Sequence, residues 1–210
     1  IKETGNQLLA AVDPYDSVGI FDSFFPDCAF FTEYERFERH LEKLKRKSDS
    51  ERIHFLSICS PNHLHDAHIR SALHCKADAL CEKPLVLNPW NLDALKELEE
   101  ETGQRVWAVL QLRVHPSLVS LKEKLDCESG SGKQQVRLTY VTSRGQWYMR
   151  SWKGIIEKSG GVATNIGVHF FDMLTWLFGD MELLETHVLD KQTCSGLLTE
   201  FANLSYSNFS

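Results

Sequence analysis

Strand and helix signals alternate along the first half of this chain, and that alternation constrains its fold more than any other feature. Short apolar runs predict β-strands at residues 7–12, 29–31, 53–59, 77–81 and 106–110. The segments between and after them predict helices at residues 17–25, 34–47, 63–76, 91–102 and 116–125. Strands separated by helices are typical of βαβ units, so we expect an α/β fold with a doubly wound parallel sheet.

The pattern changes near residue 127. Residues 128–132 are rich in Gly and Ser and have the composition of a flexible linker. After it, alternating apolar residues predict strands at residues 135–142, 183–190 and 197–206. A helix is predicted at residues 161–178. Strands that are not all separated by helices indicate an antiparallel sheet, so we expect an α+β second domain at residues 127–210 after a first domain at residues 1–126.

Charge and cysteine content narrow the class of protein. The formal net charge of −6 argues against a nucleic-acid-binding surface, which needs a basic stripe. The cysteines include no Cys-x-x-Cys pair, and Cys59 and Cys81 fall inside apolar runs, so we expect both to be buried and reduced. We find no apolar run of about 18 residues and no leader sequence, so we expect no membrane span and a cytoplasmic protein.

Metal and acyl-transfer chemistry are not expected. Several histidines cluster in one region, namely His63, His65, His68 and His74. Their spacing crosses a predicted loop–helix junction and gives no tetrahedral ligand set, so we predict no metal site. A serine nucleophile is not expected either, because no Gly-x-Ser-x-Gly motif is present.

Polar residues follow several predicted strands, at the position where doubly wound sheets bind ligands. These candidates are Asp13, Ser60 to Asn62, Glu82 with Lys83, and Gln111. In a dinucleotide-binding fold, an acid at the end of the second strand binds the adenosine ribose and repels a 2′-phosphate. Asp13 therefore predicts NAD as cofactor, and the alternative is a turn-forming residue before Pro14.

Lys83 and His169 are the candidate catalytic residues. Lys83 lies between Glu82 and Pro84 at a strand end, where it could hydrogen-bond a substrate hydroxyl and stabilise an alkoxide. His169 could accept the hydroxyl proton near neutral pH, and Asn165, four residues earlier, is expected on the same helix face. The alternatives are a surface lysine and a histidine packed among apolar helix residues.

Three motifs together resemble one enzyme family. They are Ser60-Pro61-Asn62 with His65, Glu82-Lys83-Pro84, and Gly160-Gly161 followed by Asn165, Gly167, His169 and Asp172. With them the chain resembles the family of glucose–fructose oxidoreductase, inositol dehydrogenase and MocA. The resemblance implies an N-terminal Rossmann domain that binds NAD and a C-terminal domain with an open-faced antiparallel sheet. It also implies that Lys83 and His169 are the catalytic pair.

Longer segments resemble a narrower group within that family. They lie at residues 110–116, 139–148, 151–154 and 165–172. Enzymes of this group oxidise the C3 hydroxyl of UDP-N-acetylglucosaminuronic acid to a ketone, on the route to surface polysaccharides such as the O-antigen of lipopolysaccharide. The resemblance implies a nucleotide-sugar substrate, NAD as cofactor, and a homo-oligomer, which is a tetramer in this family.

The resemblance assigns residues to each ligand. It implies that Asp13 and Asp16 bind the adenosine ribose and that Glu82 binds the nicotinamide ribose. The cofactor-binding candidates are Asp13, Asp16, Ser17, Ser60, Pro61, Asn62, His65, Glu82, Lys83 and Gln111. Residues 144–153 combine aromatic and basic side chains, which can stack on a base and pair with phosphate or carboxylate. The substrate-binding candidates are Lys83, Arg144, Tyr148, Trp152, Lys153, Asn165 and His169.

Two features depart from the family pattern. Many members carry Asp where this chain has Asn165, and a neutral amide cannot share a proton in a relay. No Gly-x-Gly-x-x-Gly turn is present, and since both chain ends look cut, we expect that turn about two dozen residues before Ile1. Three other functions stay open, namely oxidation of a free sugar or polyol, a redox-inert NAD-binding sensor, and a packing unit without a ligand.

Overall fold

The computed structural model describes residues 2–15, 18–127, 136–142 and 144–181. The chain groups into two compact units, each built from several separate segments. The first unit comprises Ile1–Ile58, Ala67–Cys81 and Asp93–Trp107. The second unit comprises Cys59–Asp66, Glu82–Leu92 and the described residues from Ala108 onward. Lys83 and His169 both belong to the second unit.

A small parallel sheet and one helix build a hydrophobic core in the first unit. β1 (Ala10–Val12) pairs in parallel with β2 (Ala29–Phe31). α1 (Val18–Phe24) lies between them in sequence, and α2 (Tyr34–Leu44) follows. The core contains Phe37 and Leu41, which share one face of α2 because they are four residues apart.

A second sheet has the strand order β3-β4-β5, with β3 at Phe55–Ile58, β4 at Asp78–Glu82 and β5 at Val106–Val109. β3 and β4 are parallel. α3 (His65–His74) and α4 (Trp90–Thr102) connect the three strands in sequence. Ala79 and Cys81 are fully buried whereas Leu80 between them is 40% exposed, as expected when side chains alternate across a strand.

Helices make up most of the described chain after β5. They are α5 (Pro116–Cys127), α6 (Gln146–Arg150), α7 (Ile156–Ser159) and α8 (Val168–Phe178). A π-helical segment, Ala163–Gly167, leads directly into α8. Short 3₁₀ turns lie at Lys2–Thr4, Asn62–Leu64, Gln111–Val114 and Trp152–Gly154. No helix in the described ranges is both long and apolar enough to cross a bilayer.

The elements predicted for the first half are confirmed, with ends that agree within three residues. The α/β class with parallel sheets is confirmed as well. The strand predicted at residues 135–142 is wrong for its described part, since residues 136–142 form no strand. A pattern of alternating apolar residues forms a strand only where another strand is available to pair with it. The strands predicted at residues 183–190 and 197–206 lie outside the described residues.

Two further expectations needed correction. Cys81 is buried as predicted, but Cys59 is exposed, because β3 ends at Ile58 and Cys59 already belongs to the following loop. The helix predicted at residues 161–178 is present but contains the π-helical segment. Asn165 lies in that wider turn and His169 in α8, so α-helical spacing does not relate the two side chains.

Candidate active site

The ends of β3 and β4 bring two polar loops together. Ile58 lies opposite Cys81 in the parallel register, so the loops that begin near Ser60 and Glu82 leave the sheet at the same edge. Pro61 precedes the first residue of the 3₁₀ turn Asn62–Leu64 in the first of these loops. Two of the four strand-end clusters singled out in the sequence therefore meet at one edge.

His65 connects these two loops. It is 1% exposed, and its Nδ1 lies 2.6 Å from the carbonyl oxygen of Pro84. Its Nε2 lies 2.7 Å from the carbonyl oxygen of Ser60. One imidazole thus contacts the main chain of both loops, next to the candidate catalytic residue Lys83, whose peptide bond to Pro84 is cis.

A cavity of about 250 Å³ lies beside these loops in the second unit. Its lining residues are Cys59, Ser60, Asn62, His65, Glu82, Lys83, Arg144, Tyr148, Trp152, Lys153, Asn165 and Ile166. All of them except Cys59 and Ile166 were candidates from the sequence. These two directly neighbour motif residues, and that adjacency was the only signal that could have found them.

A buried hydrogen-bond network holds Lys83. Its Nζ donates to the carbonyl oxygen of Asn165 at 2.5 Å and to Asn165 Oδ1 at 3.3 Å. Asn62 Nδ2 donates to the same Oδ1 at 3.3 Å and to the carbonyl oxygen of Ser159 at 2.9 Å. Asn62, Asn165 and Ser159 are all buried. Because Asn165 accepts from two side chains, its amide is fixed, and it fixes the lysine in turn.

The charges around Lys83 converge on the cavity. Burial lowers the pKa of the Lys83 ammonium, and the Glu82 carboxylate acts in the opposite direction. The cations Lys153 and Arg144 lower the pKa of Lys83 further. All three positively charged side chains line the same cavity.

His169 has the properties of a neutral base. Burial lowers the pKa of its imidazole, and the nearby Lys83 cation lowers it further, whereas Glu82 and Asp172 raise it. A histidine with a lowered pKa is neutral at physiological pH, the state in which it accepts a proton. Its Nδ1 is buried and finds no hydrogen-bond partner within the described ranges. Buried nitrogens of this kind call for an explanation, such as a catalytic role.

An ion pair missed by sequence reasoning lies one helical turn beyond His169. Arg113 Nη2 donates to Asp172 Oδ1 at 2.6 Å, and Arg113 Nε donates to Asp172 Oδ2 at 2.9 Å. The guanidinium also lies 5.9 Å from the ring centroid of Trp176. This two-pronged pair joins the 3₁₀ turn after β5 to α8. No sequence signal related the two residues, which are 59 positions apart.

Two cation–aromatic groups line the cavity. The Arg144 guanidinium lies 5.0 Å from the ring centroid of Tyr148. Lys153 Nζ lies 5.6 Å from the Trp147 ring and 5.7 Å from the Trp152 ring. The substrate candidates of residues 144–153 therefore converge on one cavity, and Arg144 and Lys153 each lie over an aromatic ring.

The adjacent glycines Gly160 and Gly161 form the turn that leads into the π-helical segment. Both have positive φ values, +79° and +76°, which residues with a Cβ rarely adopt. Gly160 caps α7 in the left-handed conformation. This turn follows Ser159, which anchors Asn62, and precedes Asn165, which anchors Lys83.

The remaining cofactor candidates are not among the residues that line this cavity. Asp13, in the first unit, accepts the main-chain N–H of Tyr15 on its Oδ1 at 2.9 Å, a contact that is typical of a turn-forming residue. Its ribose-binding role stays a prediction. Asp16 and Ser17 lie outside the described residues. Gln111 begins a 3₁₀ turn after β5 and is exposed, and it does not line the cavity.

The histidines of the α3 region have contacts other than a metal. His68 stacks on Tyr34 with ring centroids 4.0 Å apart, and His65 contacts two carbonyl oxygens. Across the ranges that the structure describes, no three His, Cys, Asp or Glu side chains are grouped so as to hold a metal ion.

Parallel strands with polar loops at one edge are typical of α/β proteins that bind a ligand at the carboxyl ends of their strands. A family model described as an oxidoreductase family with an NAD-binding Rossmann fold matches residues 2–109. The model for the C-terminal alpha/beta domain of the same family matches residues 133–206. The chain belongs to this family, that of glucose–fructose oxidoreductase, inositol dehydrogenase and MocA, and the resemblance drawn from its motifs is confirmed.

Solved structures and curated relatives agree with this assignment. The chain is 57% identical to the WlbA (WbpB) dehydrogenase from Thermus thermophilus, with a TM-score of 0.80 over 90% of this chain and 59% of that one. That enzyme was crystallised with NAD and UDP-GlcNAcA, and also with NAD and α-ketoglutarate. The WlbA dehydrogenase from Bordetella pertussis, 18% identical with a TM-score of 0.72 over 95% of this chain and 57% of that one, shares the fold.

The curated relative YteT of Bacillus subtilis, an oxidoreductase by name, is 25% identical over 157 residues. The match covers 74% of this chain and 36% of YteT. The chain thus spans about a third of YteT and about three fifths of the T. thermophilus enzyme.

Proposed function

We propose that the complete protein is an NAD-dependent dehydrogenase of an anionic sugar nucleotide. The reaction is oxidation of the C3 hydroxyl of UDP-N-acetylglucosaminuronic acid to a ketone. The observation that carries the proposal is one cavity in which Lys83, held by Asn165, is accompanied by the cations Arg144 and Lys153. An alcohol dehydrogenase needs a positioned donor for the reacting oxygen, and an anionic substrate needs cations nearby.

Oxidation of an alcohol removes a hydride from carbon and a proton from the hydroxyl oxygen, and leaves a ketone. Bound NAD supplies the acceptor for the hydride. His169 takes the hydroxyl proton, because its lowered pKa keeps the imidazole neutral and therefore able to accept a proton. Lys83 donates a hydrogen bond to the same oxygen and stabilises its developing negative charge. Asn165 keeps Lys83 in place, and the neutral amide takes no part in proton transfer.

The chemistry of the strand-end residues fits a dinucleotide. Asp13 follows a parallel strand and is held by the Tyr15 N–H, which orients a carboxylate that can accept from ribose hydroxyls. Glu82 is the last residue of β4, at the edge where the two loops meet, and it is the proposed partner of the nicotinamide ribose. Asp16, Ser17 and Gln111 complete the proposed cofactor-binding set with Ser60, Pro61, Asn62 and His65.

The T. thermophilus relative supports the choice of substrate. It is 57% identical to this chain and was crystallised with NAD and UDP-GlcNAcA. The cavity supports the same choice, since a neutral polyol would leave Arg144 and Lys153 without an anion. Retention of both Lys83 and His169 argues against a redox-inert NAD sensor, which needs neither residue.

Broader properties are proposed from the family resemblance and this relative. We place the protein in the cytoplasm, in the synthesis of surface polysaccharides such as the O-antigen of lipopolysaccharide, and in a homo-oligomer, with a tetramer as the expected state. The division into a cofactor domain at residues 1–126 and a substrate domain at residues 127–210 is part of the same proposal.

NADH formation by the complete protein tests the function. UDP-N-acetylglucosaminuronic acid should reduce NAD, whereas glucose and inositol should not. His169→Ala should lower kcat by ~10²-fold or more, the usual contribution of a general base. Lys83→Ala should cost a comparable factor, and the two losses should not add, because both groups act on one proton transfer.

Arg150→Ala provides the matched control, since Arg150 is exposed and does not line the cavity. Its kcat should remain close to that of the wild type. Inositol turnover at the rate of the nucleotide sugar would replace the proposal with a polyol dehydrogenase. Near-normal turnover of the His169→Ala variant would show that another group is the base.

A further inference from the structure

Asn62 is a buried polar residue whose side chain has no assigned task in the proposed reaction. It is 4% exposed and begins the 3₁₀ turn in the loop after β3. Its side-chain nitrogen carries two hydrogens. This Nδ2 donates to the carbonyl oxygen of Ser159 at 2.9 Å and to Asn165 Oδ1 at 3.3 Å. Both amide hydrogens are therefore used inside the protein, and neither is available to a cofactor or a substrate.

The two acceptors lie on opposite sides of the turn at Gly160 and Gly161. Ser159, which is 1% exposed, is the last residue of α7 and comes directly before this turn. Asn165, which is 6% exposed, lies in the π-helical segment after it. Ser159 Oγ also accepts the main-chain N–H of Gly161 at 3.2 Å. One side chain from the loop after β3 thus holds the chain both before and after the turn.

We propose that Asn62 is a positioning residue for Lys83 and acts through Asn165. The inference rests on the proposed function, in which Lys83 holds the reacting oxygen. A lysine side chain is a flexible stem, so its ammonium is only as well placed as the groups that bind it. Lys83 Nζ donates to the carbonyl oxygen and to Oδ1 of Asn165. Both of these oxygens belong to one residue, so movement of Asn165 displaces the lysine.

The neutral amide of Asn165 makes the contact from Asn62 important. A carboxylate at this position would attract the Lys83 ammonium through its charge and would hold it without further support. An amide lacks that attraction, so its own place has to be fixed from the other side. Removal of Asn62 would also leave the buried carbonyl oxygen of Ser159 without this donor, which favours rearrangement of the turn.

Asn62→Leu in the complete protein tests the proposal, because leucine has a similar size and removes both donors. With UDP-N-acetylglucosaminuronic acid as substrate, kcat should fall about 10- to 100-fold, the scale expected when a reacting group moves by up to ~1 Å. The dissociation constant of NADH, measured by fluorescence titration, should stay close to that of the wild type. A merely structural role would lower the yield of folded protein but would not separate kcat from cofactor affinity in this way.

An Asn165→Asp background shows whether the effect passes through Asn165. There Asn62→Leu should lower kcat by a smaller factor, since a carboxylate attracts Lys83 directly. The two factors should differ by about 2- to 100-fold, the range for residues that share a hydrogen-bond network. Asn6→Leu is the matched control, because Asn6 is exposed and lies in the first unit. Asn62→Ser, whose side chain is too short to reach both acceptors, takes the place of Asn62→Leu if that variant does not fold.

Other outcomes overturn the proposal in distinguishable ways. Unchanged kcat in Asn62→Leu would show that Lys83 does not depend on this residue. A fall in NADH affinity would place the Asn62 side chain in the cofactor site or in general packing. Equal factors in the two backgrounds would show that Asn62 does not act through Asn165. If the wild type forms no NADH with the nucleotide sugar, the proposed function fails together with this inference.

Discussion

Two adjacent glycines precede the segment that carries Asn165, and they differ in their surroundings. Gly160 and Gly161 have φ values of +79° and +76°, a backbone conformation that costs other L-residues about 1–2 kcal/mol. A Cβ on Gly160 would lie 2.8 Å from Leu87 Cδ2 and 2.9 Å from Thr164 Cβ, whereas nothing lies within 4 Å of one on Gly161. The end of the Leu87 side chain can rotate away. Thr164 Cβ moves only with the main chain that leads to Asn165.

The two alanine variants should therefore differ in stability and in activity. Gly161→Ala should lower the free energy of unfolding by about 1–2 kcal/mol, the backbone penalty alone. Gly160→Ala should lower the free energy of unfolding by about 1–3 kcal/mol more than that, the usual cost of overpacking. Displacement of Asn165 would also loosen Lys83, so kcat should fall in this variant, by up to ~10²-fold for a shift of about 1 Å.

Urea unfolding followed by tryptophan fluorescence measures the free energies, and NADH formation under conditions where both variants are folded measures kcat. Gly103→Ala is the distant control, because Gly103 lies in the first unit with φ +71° and nothing within 4 Å of a Cβ. Equal losses of stability at Gly160 and Gly161 would contradict the crowding at Gly160. Normal kcat in Gly160→Ala would show that the turn does not position Asn165.

Two further predictions concern the cofactor and the base. Asp13→Ser should bring the dissociation constants of NAD and NADP closer together, because the carboxylate repels a 2′-phosphate; an unchanged ratio in a titration would exclude Asp13 from this role. The pKa of His169, followed by NMR of its ring protons, should rise in Lys83→Met, which removes a cation, and fall in Asp172→Asn, which removes a carboxylate. Since the base acts when neutral, the acid limb of kcat/KM in the wild type should lie below the pH typical of histidine; shifts of the same sign in both variants would contradict the charge assignment.

Much of the candidate site followed from local sequence pattern. The apolar runs located β3 and β4, and the rule that parallel sheets bind ligands at the carboxyl ends of strands selected Ser60 and Glu82. Their convergence at one edge is set by the register of Ile58 with Cys81. The apolar runs were sufficient here because each strand is short and is followed at once by polar residues.

The side-chain pairs could not be predicted in the same way. Arg113 and Asp172 are 59 positions apart, and Asn62 and Asn165 are 103 apart, so only the tertiary fold brings them together. Periodicity also could not show that the helix before His169 widens into a π-helical turn, since no proline or unusual run marks it. The strand predicted over residues 136–142 is wrong for a related reason. Strand pairing depends on residues far away in the sequence, and a local pattern of alternating residues does not contain them.

The neutral side chain of Asn165 connects the chemistry of the site with its choice of ligand. Its Oδ1 accepts hydrogen bonds from both Lys83 and Asn62. A carboxylate at this position could accept the same hydrogen bonds, but it would also offset the charge of Lys83 inside the cavity. The amide holds the lysine without offsetting its charge, so among the described residues three cations line the cavity and Glu82 is the only carboxylate that does. A substrate that carries its own negative charge restores the balance, and the same residue that positions the proposed catalytic lysine thereby favours an anionic sugar.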